Sequence, residues 1–396
     1  MSGEQRREHG WDMLRALLML LGIPYHASMT YNTAVLWDIH SPEQSAVLTF
    51  LGGVLVTFRM PAFFIVSGYF AAMMLARRPA GPWLKGRYIR LGVPFLTGLL
   101  LLAPPQLFFM NLAAGITHTV PTMDEALVHA RSEILHPGVD WIMHLWFLPA
   151  LMAYCTAAAL CRSVAGTPAA LMDRFRLWLE RRRGIVFLAV MAVVMVWEMT
   201  LRAAFIELAG FGPGLPALAA RGLDPYLRYL PYFALGALLR REPAVRHAFA
   251  LPHGWVLPAA TVLTAVIASL TRAGSGIFDL VNILSSAAAA LMTSRLLIGY
   301  AHHHWNRPNR HVDRIVDASF TIYLLHHPII YALATGFLLV AWPPTVEFLL
   351  TVAATGLLSY GAHRLIRRSR TALFLMNGIV PRNTTPRPET CGGTLR

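Results

Sequence analysis

Residues 47–75 read VLTFLGGVLVTFRMPAFFIVSGYFAAMML, and their only charged side chain is that of Arg59. A helix of about 20 mostly apolar residues crosses a hydrocarbon core about 30 Å thick. A run this long and this apolar therefore predicts a transmembrane helix. Because burying an arginine at membrane depth is costly, Arg59 marks a candidate functional site inside the helix bundle.

The rest of the 396-residue chain has the same character. Hydrophobic residues make up 56% of it and charged residues 14%, which excludes a soluble globular domain. We predict an all-α polytopic integral membrane protein of about ten transmembrane helices, with one membrane-embedded domain over residues 1–380 and a disordered tail over residues 381–396. The predicted spans are residues 13–31, 47–75, 91–113, 142–160, 185–205, 226–239, 255–271, 277–299, 318–341 and 345–362.

The basic residues orient these spans. With the N-terminus inside, 27 of the 34 Lys and Arg residues fall in the predicted inner segments and five in the outer ones. Short loops rich in Lys and Arg are retained in the cytoplasm, so we expect both termini of this multi-pass protein to be cytoplasmic. The net charge of +14 does not indicate nucleic-acid binding, because the arginines flank the membrane, where they meet anionic lipid head groups.

Three ionisable residues of the first span share one helix face. Asp12 and Arg15 are expected at the cytoplasmic mouth, and His26 lies about 16 Å further along the axis. Asp12 could instead complement the helix dipole, and Arg15 could be a snorkelling interface residue. His26 is either a general base, as its ordinary titration range allows, or a packed histidine that bonds to a neighbouring helix.

The polar residues of the second span have different predicted roles. Arg59 cannot lose its proton, so it must face a cavity, a carboxylate or an anionic ligand, and a structural ion pair is the alternative. Ser67 has no acid or base beside it, which favours a packing and hydrogen-bonding residue in the pocket over a nucleophile. Gly68 allows another helix to approach closely.

Arg87 and Arg90 lie three residues apart at the start of the third span, on one helix face. Two guanidinium groups in this arrangement form a fork suited to phosphates. Ordinary positive charge in an inner loop is the alternative interpretation.

Further candidates for an acceptor pocket lie in the fourth and ninth spans. His144 and Trp146 begin the fourth span at the outer interface, where aromatic residues often anchor a helix. His326 and His327 fall near the middle of the ninth span. No cysteine or acid is spaced with them as a zinc ligand would be, so we predict a polar pathway or acceptor pocket and no metal.

Two other patterns give little evidence of function. Cys155, Cys161 and Cys391 have neither metal-ligand spacing nor a disulfide pattern. Glu198 and Arg202 lie four residues apart on one predicted helix and are expected to pair with each other.

Several runs along the chain together resemble the acyltransferase family three of multispanning membrane enzymes. These runs are DMLRALLMLLGIPYHAS, FRMPAFFIVSGYF, RYIRLGVP, HLWFLPAL, YLPYFALGALL and ASFTIYLLHHP. The resemblance implies a multi-pass O-acyltransferase of the bacterial inner membrane with no permanently bound cofactor, a cytoplasmic acyl-CoA donor and a periplasmic glycan acceptor. Within the family it points to members that succinylate osmoregulated periplasmic β-glucans, with succinyl-CoA as the donor.

The family's site residues transfer to matching positions here. Its histidine of the first span falls on His26, and its arginine pair on Arg87 and Arg90. Its acidic and basic entry residues fall on Asp12 and Arg15. Many relatives also carry a basic residue two positions before the aspartate, where this chain has a glycine.

The resemblance and the spacing together suggest a mechanism. Coenzyme A phosphates would bind Arg87 and Arg90, and His26 would take a proton from a glucose hydroxyl that attacks the thioester. Arg59 would neutralise either the oxyanion or the distal carboxylate of a succinyl group. Two alternatives stay open, an acetyl donor and a transporter of an anionic metabolite or lipid-linked sugar, although the sequence lacks the inverted repeats that many transporters have. The oligomeric state is also open.

Overall fold

A computed structural model describes residues 8–138, 141–164, 177, 181, 183–210, 215–250, 254–272, 274–305, 307–340 and 342–379. The predicted tail over residues 381–396, Cys391 and most of the segment between residues 162 and 184 lie outside the described residues. The described part is helical, as predicted.

The helices follow the apolar runs of the sequence. In chain order they are α1 (His9–Leu20), α2 (Gly22–Met29), α3 (Ala46–Leu75), α4 (Ala80–Leu101), α5 (Ala103–Ile116), α6 (Met123–Leu135), a 3₁₀ turn (Met143–Trp146), α7 (Phe147–Val164), α8 (Arg183–Gly210), α9 (Leu215–Arg228), α10 (Leu230–Arg241), α11 (Pro243–Ala250), α12 (Val256–Leu270), α13 (Ile277–His304), α14 (Arg310–Phe337), α15 (Pro344–Ile366) and α16 (Arg370–Asn377).

Six helical segments of the described chain are long and apolar enough to cross a membrane. They are Ala46–Leu75, Met143–Arg162, Ile185–Leu208, Ile277–His304, Arg310–Phe337 and Pro344–Ile366. The pair α4 and α5, bent by 41° at their junction, gives a seventh if it counts as one span. A multi-pass helical membrane protein is therefore supported.

The count of ten spans stays a prediction. The three other predicted spans coincide with helices that fall short of a crossing by length. The first is divided at Leu21 into α1 and α2, of 12 and 8 residues. The sixth and seventh correspond to α10, of 12 residues, and α12, of 15 residues.

Helix α3 is central and crosses α10 with almost no side chain between them. A Cβ atom at Gly68 would overlap the Phe233 carbonyl oxygen, and one at Gly236 would overlap the Ile65 carbonyl oxygen. Small residues allow such backbone contact between membrane helices, where van der Waals packing and interhelical hydrogen bonds drive association. The close approach predicted at Gly68 is thus present.

Gly10 explains the departure from the family pattern two positions before Asp12. A Cβ atom at Gly10 would lie 2.5 Å from the Ala301 carbonyl oxygen of α13. The backbone of α1 is packed directly on α13 at this point. A basic side chain would therefore require the two helices to move apart.

The predicted pairing of Glu198 with Arg202 is wrong. Arg202 pairs with Asp279 of α13 at 2.9 Å, and Glu198 pairs with Arg228 at the end of α9 at 3.5 Å. Their i,i+4 spacing allows a pair within α8, but the neighbouring helices bring other charged partners to both side chains. Both residues are structural ion-pair members, as expected.

Candidate functional site

Four histidines from three separate segments meet inside the bundle. His26 comes from α2, His144 from the 3₁₀ turn, and His326 and His327 from α14. The ring centroids of His144 and His327 are 4.4 Å apart, those of His26 and His327 4.7 Å, and those of His26 and His326 5.3 Å. We call these four residues the histidine cluster.

His144 lies inside the bundle and connects the 3₁₀ turn to α14. Only 6% of its surface is exposed, and its Nε2 donates to the Leu324 carbonyl oxygen at 3.3 Å. The Tyr323 hydroxyl donates to the His144 carbonyl oxygen at 2.8 Å. These two bonds hold the 3₁₀ turn against α14, because one polar side chain from each segment reaches the backbone of the other.

Hydrogen bonds orient the two histidines of α14. His326 Nδ1 lies 2.6 Å from the Tyr323 carbonyl oxygen, which can only accept, so Nδ1 carries the proton. His327 Nδ1 donates to Gln106 Oε1. The Gln106 amide nitrogen is already used by the Leu102 carbonyl oxygen at 2.7 Å, which turns Oε1 toward His327. In their neutral forms both rings therefore keep an unprotonated Nε2.

Several polar atoms of this region are buried without a partner among the described residues. They are His26 Nδ1, His144 Nδ1, His326 Nε2 and Arg59 Nε. Buried polar groups are normally satisfied, and exceptions need an explanation. A cluster of them around one point is expected where a polar ligand binds.

Arg59 lies beside the histidine cluster. Only 8% of its surface is exposed, and its Cζ is 4.7 Å from the centre of the Tyr25 ring. Among the described residues no carboxylate oxygen lies within 4.0 Å of its guanidinium group. In this part of the chain Arg59 therefore does not form the structural ion pair that was the alternative interpretation.

Gly22 makes room between Arg59 and His326. A Cβ atom at Gly22 would lie 3.0 Å from Arg59 Nη1 and 3.2 Å from His326 Nε2. The guanidinium group and the free imidazole nitrogen thus approach the same small space from two helices. A reacting group there could meet a positive charge and a proton acceptor together.

A solvent-open cleft begins where α3 ends and α4 begins. It encloses about 1160 Å³ of space, part of it open to solvent. Residues from the predicted donor site and pocket meet in it, namely Arg15, Ser67, Arg87 and Arg90. We call this space the arginine cleft.

Some charged residues that line the arginine cleft form ion pairs and others do not. Arg15 is paired with Asp12 at 3.4 Å, and Asp317 is paired with Arg367 at 3.0 Å. By contrast, no described carboxylate lies within 4.0 Å of Arg87 or Arg90. Asp12 is not among the residues that line the cleft, so the structure brings it to Arg15 and not to the cleft surface.

The deep wall of the arginine cleft leads toward the histidine cluster. Met19 lines the cleft and precedes His26 by about 10 Å of helix. Phe63 also lines it and follows Arg59 by about one turn of α3. The cleft and the cluster are thus successive parts of one region. Trp146 lies to the side, where its ring stacks on Tyr229 with centroids 5.8 Å apart.

Several residues at the site were missed by sequence reasoning. They are Trp37, Asp38, Gln106, Tyr323 and Tyr331, all within or beside the histidine cluster. Gln106 carries a signal, because a lone amide in an apolar span tends to bond to another helix. Trp37 and Asp38 follow a predicted span and have no such signal. Within the described residues no group of three or more His, Cys, Asp or Glu side chains could hold a metal ion.

Comparisons with known proteins agree with one another. The family described as "Acyltransferase domain" matches residues 8–364. The glucans biosynthesis protein C of Shigella dysenteriae serotype 1 (strain Sd197) is 31% identical over 341 residues, covering 82% of each chain. The protein of the same name from Escherichia coli (strain K12) is 30% identical over 341 residues, with the same coverage. No solved structure matches this chain.

Proposed function

This chain belongs to the acyltransferase family, and on that premise we propose that it transfers an acyl group from acyl-CoA on the cytoplasmic side to a glucose hydroxyl of a periplasmic β-glucan. We propose succinyl as the acyl group and the bacterial inner membrane as the location. The relatives named glucans biosynthesis protein C support the glucan acceptor. The family match over residues 8–364 supports one acyltransferase domain over most of the chain.

The observation that carries the proposal is the pair of arginines without carboxylate partners among the described residues, in an open cleft that leads toward the histidine cluster. Arg87 and Arg90 could grip the phosphates of coenzyme A, because paired guanidinium groups suit phosphate oxygens. The pantetheine arm would then follow the wall formed by Met19 and Phe63. This path would place the thioester beside Arg59 and His26.

Transfer then needs one proton acceptor and one oxyanion partner. His26 takes the proton of the glucose hydroxyl as the hydroxyl oxygen attacks the thioester carbonyl carbon. The carbonyl oxygen becomes an oxyanion, which Arg59 stabilises by its positive charge. The carbon–sulfur bond breaks, the coenzyme A thiolate leaves, and it takes the proton from His26. The ester remains on the glucan and the free thiol returns to the cytoplasm.

The proposal is tested in a strain from which the gene for this chain is deleted. Periplasmic glucans from the deletion strain should lose the mass increments of the acyl ester, and the intact gene should restore them, as measured by mass spectrometry. Increments with the mass and the negative charge of succinyl support the proposed donor. The smaller, neutral increments of acetyl would instead identify acetyl as the transferred group. Unchanged glucans would refute the glucan acceptor.

Arg87→Ala combined with Arg90→Ala should weaken acyl-CoA binding by about a hundredfold. Two charge-assisted contacts to phosphate are removed, and each tenfold change corresponds to about 1.4 kcal/mol. The measurement is calorimetric titration of purified protein with acyl-CoA. The matched control is Arg77→Ala with Arg78→Ala, which removes two exposed charges from the same predicted inner loop but none from the cleft. Equal acyl-CoA affinities in both double variants would mean that Arg87 and Arg90 contribute to membrane orientation and not to donor binding.

A further inference from the structure

The segment between α2 and α3 carries an indole and a carboxylate to the edge of the histidine cluster. The Trp37 ring centroid is 5.8 Å from that of His327 and 6.2 Å from that of His26. Asp38 is exposed, and its carboxylate accepts a hydrogen bond from Tyr331. The Tyr331 ring centroid is itself 4.6 Å from that of His327. The mechanism above assigns no role to either loop residue.

Hydrogen bonds fix both ends of this segment. Its N-terminal part turns around Asn32, whose side-chain oxygen accepts from the backbone N–H groups of Ala34 and Val35 at 2.8 and 2.9 Å. Its C-terminal part returns to the end of α2 through backbone bonds from Ser41 to Thr30 and from Ser45 to Tyr31, both 2.9 Å.

Ile39 fixes the position between these two ends. It is fully buried and packs with Tyr331, Ala113 and Ala334. The two neighbours on its N-terminal side, Trp37 and Asp38, therefore project from an anchored backbone. Groups that are already in place lose little conformational freedom when a ligand binds.

The two side chains have the chemistry of a carbohydrate site. An indole offers a large apolar surface to the C–H groups of a pyranose ring, and Trp37 is half-buried, so part of it is open. An ionised carboxylate only accepts hydrogen bonds, which matches the hydroxyl donors of a sugar. The negative charge of Asp38 would repel phosphate or another anion, so it favours an uncharged sugar.

The charges of the segment agree with the predicted side of the membrane. Residues 32–45 contain Asp38 and Glu43 and no Lys or Arg. Segments without basic residues are the ones that the positive-inside rule leaves outside. The arginine cleft is at the opposite end of α3, where α3 ends, whereas this segment leads into its start at Ala46.

We propose that Trp37 and Asp38 bind the glucose unit of the acceptor that is acylated, holding its hydroxyl toward the histidine cluster. The proposal rests on the proposed function and adds the residues that select an uncharged sugar as the acceptor. Tyr331 is a positioning residue, because its hydroxyl donates a hydrogen bond to the carboxylate of Asp38.

The test uses purified full-length protein in lipid nanodiscs with radiolabelled succinyl-CoA and short β-linked glucose oligosaccharides. Trp37→Ala should raise the acceptor KM about tenfold, and Asp38→Ala tenfold to a hundredfold, as expected for a lost stacking surface and a lost charged hydrogen-bond acceptor. The KM for succinyl-CoA and the slow hydrolysis of succinyl-CoA without acceptor should stay unchanged. The matched control is Glu43→Ala, which removes an exposed carboxylate from the same segment.

One further variant separates sugar binding from anchoring of the segment. Tyr331→Phe removes the hydrogen bond to Asp38 but keeps the carboxylate, so it should raise the acceptor KM less than Asp38→Ala. If Asp38 only anchors the segment, the two variants will show the same acceptor KM and the same loss of thermal stability, and the proposal is wrong. An acceptor KM unchanged by Trp37→Ala and Asp38→Ala, with active wild-type protein, also overturns it. No transfer to glucan by the wild type would instead refute the proposed function.

Discussion

His26→Ala is expected to abolish acyl transfer while the protein stays folded in the membrane. General-base assistance contributes about 10² to 10⁴ in rate, and no other group on α2 can replace the lost imidazole. Donor binding should survive, because Arg87 and Arg90 belong to α4 and line the arginine cleft, whereas His26 belongs to α2 and does not line it. The measurements are transfer to glucan, acyl-CoA affinity and the amount of protein in the membrane.

His326 is the most informative comparison for this prediction. Its Nδ1 is held by the Tyr323 carbonyl oxygen, and its buried Nε2 is available as a proton acceptor. If His326 is the base, His326→Ala will remove all transfer and His26→Ala will leave a measurable rate. A structural role for His26 would be revealed by a joint fall in thermal stability and transfer, since an unsatisfied buried polar group costs about 1 to 3 kcal/mol. Full glucan modification by a stable His26→Ala protein contradicts the prediction outright.

The helices could be predicted from the sequence, but their interruptions could not. Apolar runs such as residues 47–75 determine where a helix is stable in lipid, so each predicted span coincides with helix. Breaks depend on local backbone geometry that hydropathy does not report. The division of the first span at Leu21 and the 41° bend between α4 and α5 are examples.

The sequence indicated individual candidate residues but not the assembly that they form. Intramembrane charge singled out His26 and Arg59, and helical spacing put Arg87 and Arg90 on one face. The sequence could not indicate that His144 would stack on His327, because that contact joins two segments about 180 residues apart. Spacing within one helix also gave the wrong ion-pair partner for Glu198, whose partner Arg228 comes from another helix.

The two ends of the site have opposite electrostatic character. The arginine cleft presents Arg87 and Arg90 without carboxylate partners among the described residues, whereas the segment beside the histidine cluster presents Asp38 and no basic residue. An anionic donor would be attracted to the arginine cleft and repelled beside Asp38, whereas an uncharged acceptor would not be repelled by Asp38. Arg59 lies between these ends, so its charge is the one that both substrates would meet.

Arg59→Met should lower transfer by about 10² to 10³, the usual effect of removing one oxyanion donor, and should not lower thermal stability. Burying an ion costs several kcal/mol unless it is paired, and Arg59 has no carboxylate partner in the described part of the chain. A methionine of similar length removes that cost. Arg295→Met is the matched control, because Arg295 is also an arginine within a span, and its Cζ lies 4.7 Å from the centre of the Phe187 ring of α8.

Comparing two donors then decides whether Arg59 stabilises the oxyanion or binds the distal carboxylate of the succinyl group. If it stabilises the oxyanion, Arg59→Met will slow transfer from succinyl-CoA and from acetyl-CoA by the same factor, because both thioesters form that oxyanion. If it binds the distal carboxylate, only succinyl-CoA will be affected, and its KM will rise more than its kcat falls. A large drop in unfolding temperature with both donors equally impaired would show that Arg59 is structural. We expect equal slowing with unchanged or higher stability, because its Nη1 and His326 Nε2 approach the same space beside Gly22.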